Sequence, residues 1–268
     1  MTGRAIRNVT VKHKQWLTPN MLRIILCGEA LNDFPVNFES GYVKLRFLND
    51  ESSQVVHEKL AGDRSVNDAL VSEKPLVRSY TIRAFDQKKS ELTLDFVSHG
   101  DNGPASAWAL ACNVGDVINV DGPGAAKLIN MDADWFFIAG DMTALPAISV
   151  NLEKLPPTAI GYAVIETLSE DDKMPLFSPE GISVHWVINA HPDISNTLLA
   201  DKVRSLPWQQ GEVSVWVASE FSAMKNLRQY FKVERKVNKN NVYISSYWKM
   251  GDTDEGHKKA KKIDAEIT

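Results

Sequence analysis

Two short stretches carry residue types whose spacing suits the binding of a phosphate and a flat ring. Arg78-Ser79-Tyr80-Thr81 places a guanidinium, an aromatic ring and two hydroxyls within four residues. A guanidinium can fork onto two phosphate oxygens, a tyrosine offers a flat apolar face, and small hydroxyls hydrogen-bond polar edges. The second stretch, Asp95-Phe96-Val97-Ser98-His99-Gly100-Asp101-Asn102-Gly103-Pro104-Ala105-Ser106-Ala107-Trp108, reads as a strand, a glycine-bounded turn and a helix start. The N-terminus of a helix presents unpaired N–H groups and the positive end of a dipole, which suits a phosphate. Gly103 permits close backbone approach, and Ser106 adds a hydroxyl donor. His99 reads either as a proton donor or as a hydrogen-bonding residue. His13, His57, His185, His191 and His257 are scattered along the chain and carry no assigned chemistry. No Ser-His-Asp or metal-ligand spacing competes. Cys27 and Cys112 form no CxxC pair, so both are expected to be buried, reduced thiols rather than part of a disulfide framework or a metal centre.

The elements that must position these residues change character midway. Strand-like runs lie at 21–26, 42–48, 79–83, 91–97 and 116–120, separated by polar turns, which predicts a small antiparallel barrel. Residues 49–75 are polar, without a strong period, and read as a long loop, and a helix is predicted from Pro104 to Leu110. From Asp134 onward the pattern alternates. Continuous apolar runs at 134–140, 158–166, 183–188, 213–218 and 242–246 read as strands. Helical segments fall between them at 141–155, 195–203 and 222–231. That alternation predicts a doubly wound parallel sheet flanked by helices. The expected division is a barrel over 1–128, an α/β nucleotide-binding-like domain over 129–250, and a tail over 251–268.

An apolar fraction of 44% beside 24% charged residues is that of a soluble globular protein. A net charge of −4 argues against nucleic acid as a partner, because no global positive field exists to neutralise phosphates. The N-terminus has basic residues but no apolar stretch after them, and no apolar run reaches the ~18 residues of a spanning helix. A cytoplasmic location is expected.

The string from Asp95 to Trp108 closely resembles the signature of siderophore-interacting proteins, also called ferric-siderophore reductases. Arg78-Ser79-Tyr80-Thr81 resembles the R-x-Y-[ST] element with which the wider ferredoxin–NADP reductase-like superfamily holds its flavin. Gly122-Pro123-Gly124 and Gly140-Asp141-Met142-Thr143-Ala144-Leu145-Pro146 look like further stretches of the same family. The resemblance implies a six-stranded FAD-binding barrel. It implies FAD lined by Arg78, Ser79, Tyr80 and Thr81, with Asp95, Val97 and His99 beside its ribityl or ribose part and Gly103, Ala105 and Ser106 at the pyrophosphate. Asp141, Thr143 and Ala144 would meet the adenosine end or an incoming nicotinamide. No residue beyond the flavin is required for metal reduction. A basic pocket of Lys44, Lys127 and Lys249 is implied for a ferric siderophore, the partner expected; each lysine alone reads equally as a solvated side chain.

The electron donor stays open between NADH, NADPH and a reduced, acidic ferredoxin. Glu220 fits the family's alanine-glycine-glutamate turn, although Ser219 replaces its glycine. Lys225 and Arg228, three residues apart on one helix face, read either as phosphate contacts or as solvated charges. The lysine-rich tail reads as a frayed terminus or as a helix that caps the nucleotide site and faces a ferredoxin. A monomer is expected. Two further readings are a general flavin diaphorase and a siderophore carrier without redox chemistry.

Overall fold

The computed structural model of the chain describes residues 6–47, 75–98 and 103–267. The loop expected over 49–75 lies outside these apart from Pro75, and so does His99. Seven antiparallel strands form the first half: β1 (Ile6–Thr18), β2 (Met21–Cys27), β3 (Tyr42–Phe47), β4 (Leu76–Thr81), β5 (Ala84–Asp86), β6 (Glu91–Val97) and β7 (Val117–Gly124), in the spatial order β4-β3-β7-β1-β2-β6-β5. The sheet thus has seven strands rather than the expected six, with the three-residue β5 at one edge. Alternate residues such as Val43, Leu45, Ile24, Leu94 and Val120 point inward and are fully buried, the period-two pattern of a half-buried sheet. Helix α1 (Pro104–Ala111) packs on this core, and Lys14 Nζ reaches across from β1 to cap its last turn, donating to Leu110 O at 2.7 Å and Cys112 O at 2.9 Å.

β1 escapes a reading for charge and apolar runs. Its exposed positions mix Ile6 and Trp16 with polar and basic residues such as Asn8, Lys12 and Gln15, and its first half pairs with β7 while its second pairs with β2. Among the described residues no strand ladder joins β4 itself to β6, and the chain just past β4 crosses over instead, with Arg83 N donating to Thr93 O at 3.0 Å. Between the β4 edge and β6 the seam is filled by side chains, with the Tyr80 ring 4.2 Å from that of Phe96.

The second half is a five-stranded parallel sheet, β8 (Trp135–Asp141), β9 (Gly161–Thr167), β10 (Ile182–Ile188), β11 (Val213–Glu220) and β12 (Val242–Trp248), ordered β10-β9-β8-β11-β12. All seven residues of β8 are buried because both faces are covered. Phe136 and Ile138 face α2 (Leu145–Lys154), whereas Trp135 and Phe137 face α3 (Leu198–Ser205) and α4 (Phe221–Arg228). α4 runs on into a π-helical turn at Gln229–Glu234. A last helix, α5 (Asp254–Ile267), lies against β12.

Two helices begin later than expected, for a local reason. Asp141 belongs to β8, and its side chain and carbonyl accept from Thr143 N (2.9 Å) and Ala144 N (3.0 Å), so α2 starts at Leu145. Asp193 and Asn196 likewise accept from Ser195 N (2.7 Å) and Leu198 N (2.9 Å), which holds these residues in turns ahead of α3. Neither cysteine is in a disulfide; Cys112 is buried, but Cys27 is half-exposed because it ends β2 at the barrel rim.

The halves are tied by buried polar groups. Asn151 on α2 accepts from Ile129 N at 2.8 Å and approaches Ser40 Oγ at 3.4 Å. Asp172, fully buried after β9, accepts from Thr18 Oγ1 (2.8 Å), Asn20 N (3.0 Å), Asn20 Nδ2 (2.8 Å) and Ser169 Oγ (2.8 Å). Burial alone raises its pKa, but the bonds from Asn20, Ser169 and Thr18 outweigh this and hold it below the ordinary carboxyl value. A depressed folded pKa gives stability that is complete above the unfolded value, about 4, and lost as pH falls through the folded one. Urea unfolding should therefore show wild-type stability declining below about pH 5, and Asp172→Asn declining less while starting about 1–3 kcal/mol lower at pH 7. Equal pH slopes for the two proteins would remove Asp172 from this role.

Candidate functional site

The strip Arg78-Ser79-Tyr80-Thr81 runs along β4, the strand at one edge of the barrel sheet. Register with β3 puts Arg78 and Tyr80 opposite the inward residues Leu45 and Val43, and Ser79 and Thr81 opposite the outward Lys44 and Tyr42. Tyr80 therefore lies in the seam against Phe96, and the Trp108 ring of α1 follows at 5.8 Å from Phe96. Burial pushes the Tyr80 hydroxyl above its usual pKa, so it is a neutral ring face at working pH. The Arg78 guanidinium is half-buried and donates to Val77 O at 3.0 Å.

Across the seam, Gly103 stands at the N-cap of α1, followed by Pro104, with no side-chain cap and no acidic residue in the first turn. Ala105 and Ser106 are buried in that turn. A helix start, an edge strand and a half-buried aromatic ring are thus linked through Phe96, a set of groups that suits a flat ring with a pyrophosphate attached. Asp95 is used differently. Arg23, its register partner on β2, forks onto it at 2.7 and 2.8 Å, so its carboxylate is already occupied. Val97 sits at the end of β6 and packs toward the α/β half.

The second feature is the crevice at the carboxyl ends of the parallel sheet, where the strand order reverses between β8 and β11. Open α/β sheets bind ligands at such switch points. Asp141 closes the end of β8. Its carboxylate is buried and takes Thr143 N (2.9 Å), Thr143 Oγ1 (2.5 Å), Glu220 N (2.8 Å) and Trp248 Nε1 (2.9 Å). Burial raises its pKa, while the bonds from Thr143, Trp248 and Glu220 pull the other way. A β-carbon at Gly140 would run into the Ala218 carbonyl and the Ala144 side chain, which explains why the two strands can close so tightly here. Ala144 is itself packed in the core. Glu166, at the end of β9, is pushed up by burial and bonded by Asn189 Nδ2 at 3.1 Å.

Glu220 caps α4, accepting from Ser222 N (2.5 Å), Ala223 N (3.3 Å) and Met250 N (3.2 Å). Arg228 forks onto Asp264 of α5 at 2.5 and 2.6 Å. Lys225 and Lys249, expected to serve different ligands, converge instead on one ring: their ammonium groups lie 5.9 and 6.0 Å from the centroid of Phe221. Lys249 is also paired with Asp252. Lys127 is exposed, and its carbonyl accepts from Trp216 Nε1 at 2.7 Å. Lys44 stands on the outer barrel face, in register with Ser79 and Asp121.

The two features are joined by a contact that no sequence spacing announces. Tyr247, near the end of β12, lies beside Thr81, the last residue of the strip, and beside Tyr243, and burial holds its hydroxyl well above the usual pKa. The Tyr247 ring also meets Trp216 edge-on at 6.4 Å. Among the described residues no group of three His, Cys, Asp or Glu could hold a metal ion, and no helix is long and apolar enough to cross a membrane.

Comparison with known proteins agrees with both halves. Residues 10–127 match the model of the siderophore-interacting FAD-binding domain, and residues 133–251 match that of the siderophore-interacting protein. A ferric vibriobactin reductase of Vibrio cholerae is 32% identical over 93% of this chain and 92% of its own length. An NADPH-dependent ferric-chelate reductase of Escherichia coli is 25% identical over 90% and 92%. The crystal structure of the siderophore-interacting protein SipS from Aeromonas hydrophila superimposes with a TM-score of 0.82 at 29% identity, covering 98% of this chain and 99% of that one. With matching models over both halves and a relative above 30% identity along nearly its whole length, the chain belongs to the siderophore-interacting protein family.

Proposed function

We propose that the chain is a ferric-siderophore reductase, in which bound FAD passes single electrons to chelated Fe(III) and so loosens the metal for release. The observation that carries this reading is the Arg78–Thr81 strip on the edge strand β4, with Tyr80 set against Phe96 and the Trp108 ring of α1 beyond it. FAD supplies the redox chemistry when bound. Arg78 and the first turn of α1, at Gly103, Ala105 and Ser106, hold its pyrophosphate; Ser79, Tyr80, Thr81 and Val97 border its ring and ribityl chain, and His99 is kept as a further contact. Asp95 acts on it through Arg23. Asp141, Thr143 and Ala144 shape the crevice rather than reach into it.

Lys249, with Lys225 beside it on Phe221, offers an anion-accepting rim, and Lys44 and Lys127 extend the positive character over the barrel side. The ferric chelate docks there. NADH, NADPH or a reduced ferredoxin supplies electrons, and the protein works on this reading as a cytoplasmic monomer. We assign 1–128 to the FAD domain, 129–250 to the donor domain, and 251–268 to a tail whose basic residues face a ferredoxin.

The test is anaerobic reduction of the purified protein, followed by visible absorbance, with each donor tried separately. A flavin spectrum that bleaches with one donor and returns on adding a ferric siderophore, with Fe(II) trapped, is expected. Equal rates with ferricyanide and ferric citrate would point to a general diaphorase, and a colourless protein that leaves the chelate unchanged would falsify the reductase reading.

A further inference from the structure

Tyr42 and Lys44 alternate along β3 with the buried Val43 and Leu45, so both point to the outer side of the barrel sheet. Register sets Tyr42 opposite Thr81 and Lys44 opposite Ser79 on the edge strand β4. Residues directly opposite one another on a sheet face stand about 5 Å apart. On its other side β3 meets β7, with Tyr42 in register with Gly124 and Lys44 with Asp121. Asp121 is taken by Arg46, whose Nε and one terminal nitrogen donate to its Oδ2 at 3.0 and 2.7 Å. Among the described residues no carboxylate forms an ion pair with Lys44.

Gly124 gives Tyr42 its place. A β-carbon there would run into Cε1, Cε2 and Cζ of the Tyr42 ring, so the ring lies down on the β7 backbone because that residue is glycine. Tyr42 is nonetheless only half-buried. A flat ring is thereby fixed beside a lysine, one strand from two residues that border the flavin. Its position along the strand says which part of the flavin it neighbours. Arg78, which holds the pyrophosphate, stands opposite Leu45, three residues and about 10 Å from Thr81. Tyr42 therefore lies at the ring end of the flavin, where a metal must come to take an electron. A chelate arriving there meets one cation and one aromatic face. Catecholate oxygen chelators carry both a negative charge and an aryl ring, whereas carboxylate chelators carry the charge alone. We propose that Tyr42 is a stacking platform for an aryl ring of the chelate, with Lys44 answering its charge, so that the site prefers catecholate over carboxylate complexes. This deepens the chelate half of the function proposed above and rests on it.

Gallium(III) stands in for iron without being reducible, which separates binding from electron transfer. Calorimetric titration of the oxidised, FAD-loaded full chain with gallium tris-catecholate and with gallium citrate tests the assignment. Tyr42→Leu, which fills the space over Gly124 without a flat ring, should weaken the catecholate complex about fivefold to tenfold and citrate by less than about twofold. Tyr42→Phe should keep the wild-type affinity for both. Three results would overturn the proposal: unchanged catecholate affinity in Tyr42→Leu, equal losses for the two complexes, or loss of FAD from that variant, which would make Tyr42 a flavin contact instead. Failure of the reductase reading shows separately, in a wild-type chain that binds gallium catecholate through Tyr42 yet leaves the ferric complex unreduced when its flavin is reduced.

Discussion

Arg78→Ala should bind FAD roughly 30- to 700-fold more weakly and lose its yellow colour during purification, the equivalent of about 2–4 kcal/mol for a truncated charge pair. The cause is the loss of a guanidinium fork on the pyrophosphate. Within the protein, Arg78 donates only to the neighbouring Val77 carbonyl in its described hydrogen bonding, so its removal should move Tm little. Arg78→Lys keeps the charge but not the planar fork, and an intermediate affinity is expected. Fluorescence titration of the deflavinated protein with FAD measures all three. An Ala variant that retains wild-type affinity would place the pyrophosphate elsewhere, at the α1 turn alone.

Asp141→Ala should be the most destabilising single change in the α/β half. It leaves Trp248 Nε1–H, Glu220 N–H and Thr143 N–H aimed at an acceptor that no longer exists. Each buried donor left unmet costs about 1–3 kcal/mol, so a loss of at least about 3 kcal/mol is expected, a large share of an ordinary domain's stability. Asp141→Asn retains one oxygen and should lose less. Urea unfolding followed by tryptophan emission reads the effect, since Trp248 reports on the same bond. A loss under about 1 kcal/mol for the Ala variant would mean that water replaces the carboxylate, and Asp141 would cease to be the hub of the crevice.

The sequence made the strip, the helix start and the parallel sheet legible because each is local. Arg78 to Thr81 are consecutive, Pro104 marks its own helix, and the all-apolar run of β8 states that both its faces are covered. What stayed hidden depends on distant partners. Arg23 and Asp95 are paired by the β2–β6 register, which turns a residue chosen for its place in a signature into one already engaged. Arg228 looked like a solvated or phosphate-facing cation until α5 folded back with Asp264. A lone aspartate after a strand, such as Asp172, carries no spacing signal, and its role appears only when Thr18 and Asn20 fold onto it. β1 carries no clean alternation, because apolar, polar and basic side chains mix on its exposed face and its two partners, β7 and β2, come from different parts of the chain.

The absence of any linker between Glu220 and Phe221 has a consequence for how such a protein diversifies. On this side of the cleft the aromatic rim is welded to a buried strand, and the Glu220 carboxylate pins the weld to Ser222, Ala223 and Met250. With the rim held in this way, exchanging Lys225 or Lys249 would alter the charge it presents while leaving the backbone beneath in place.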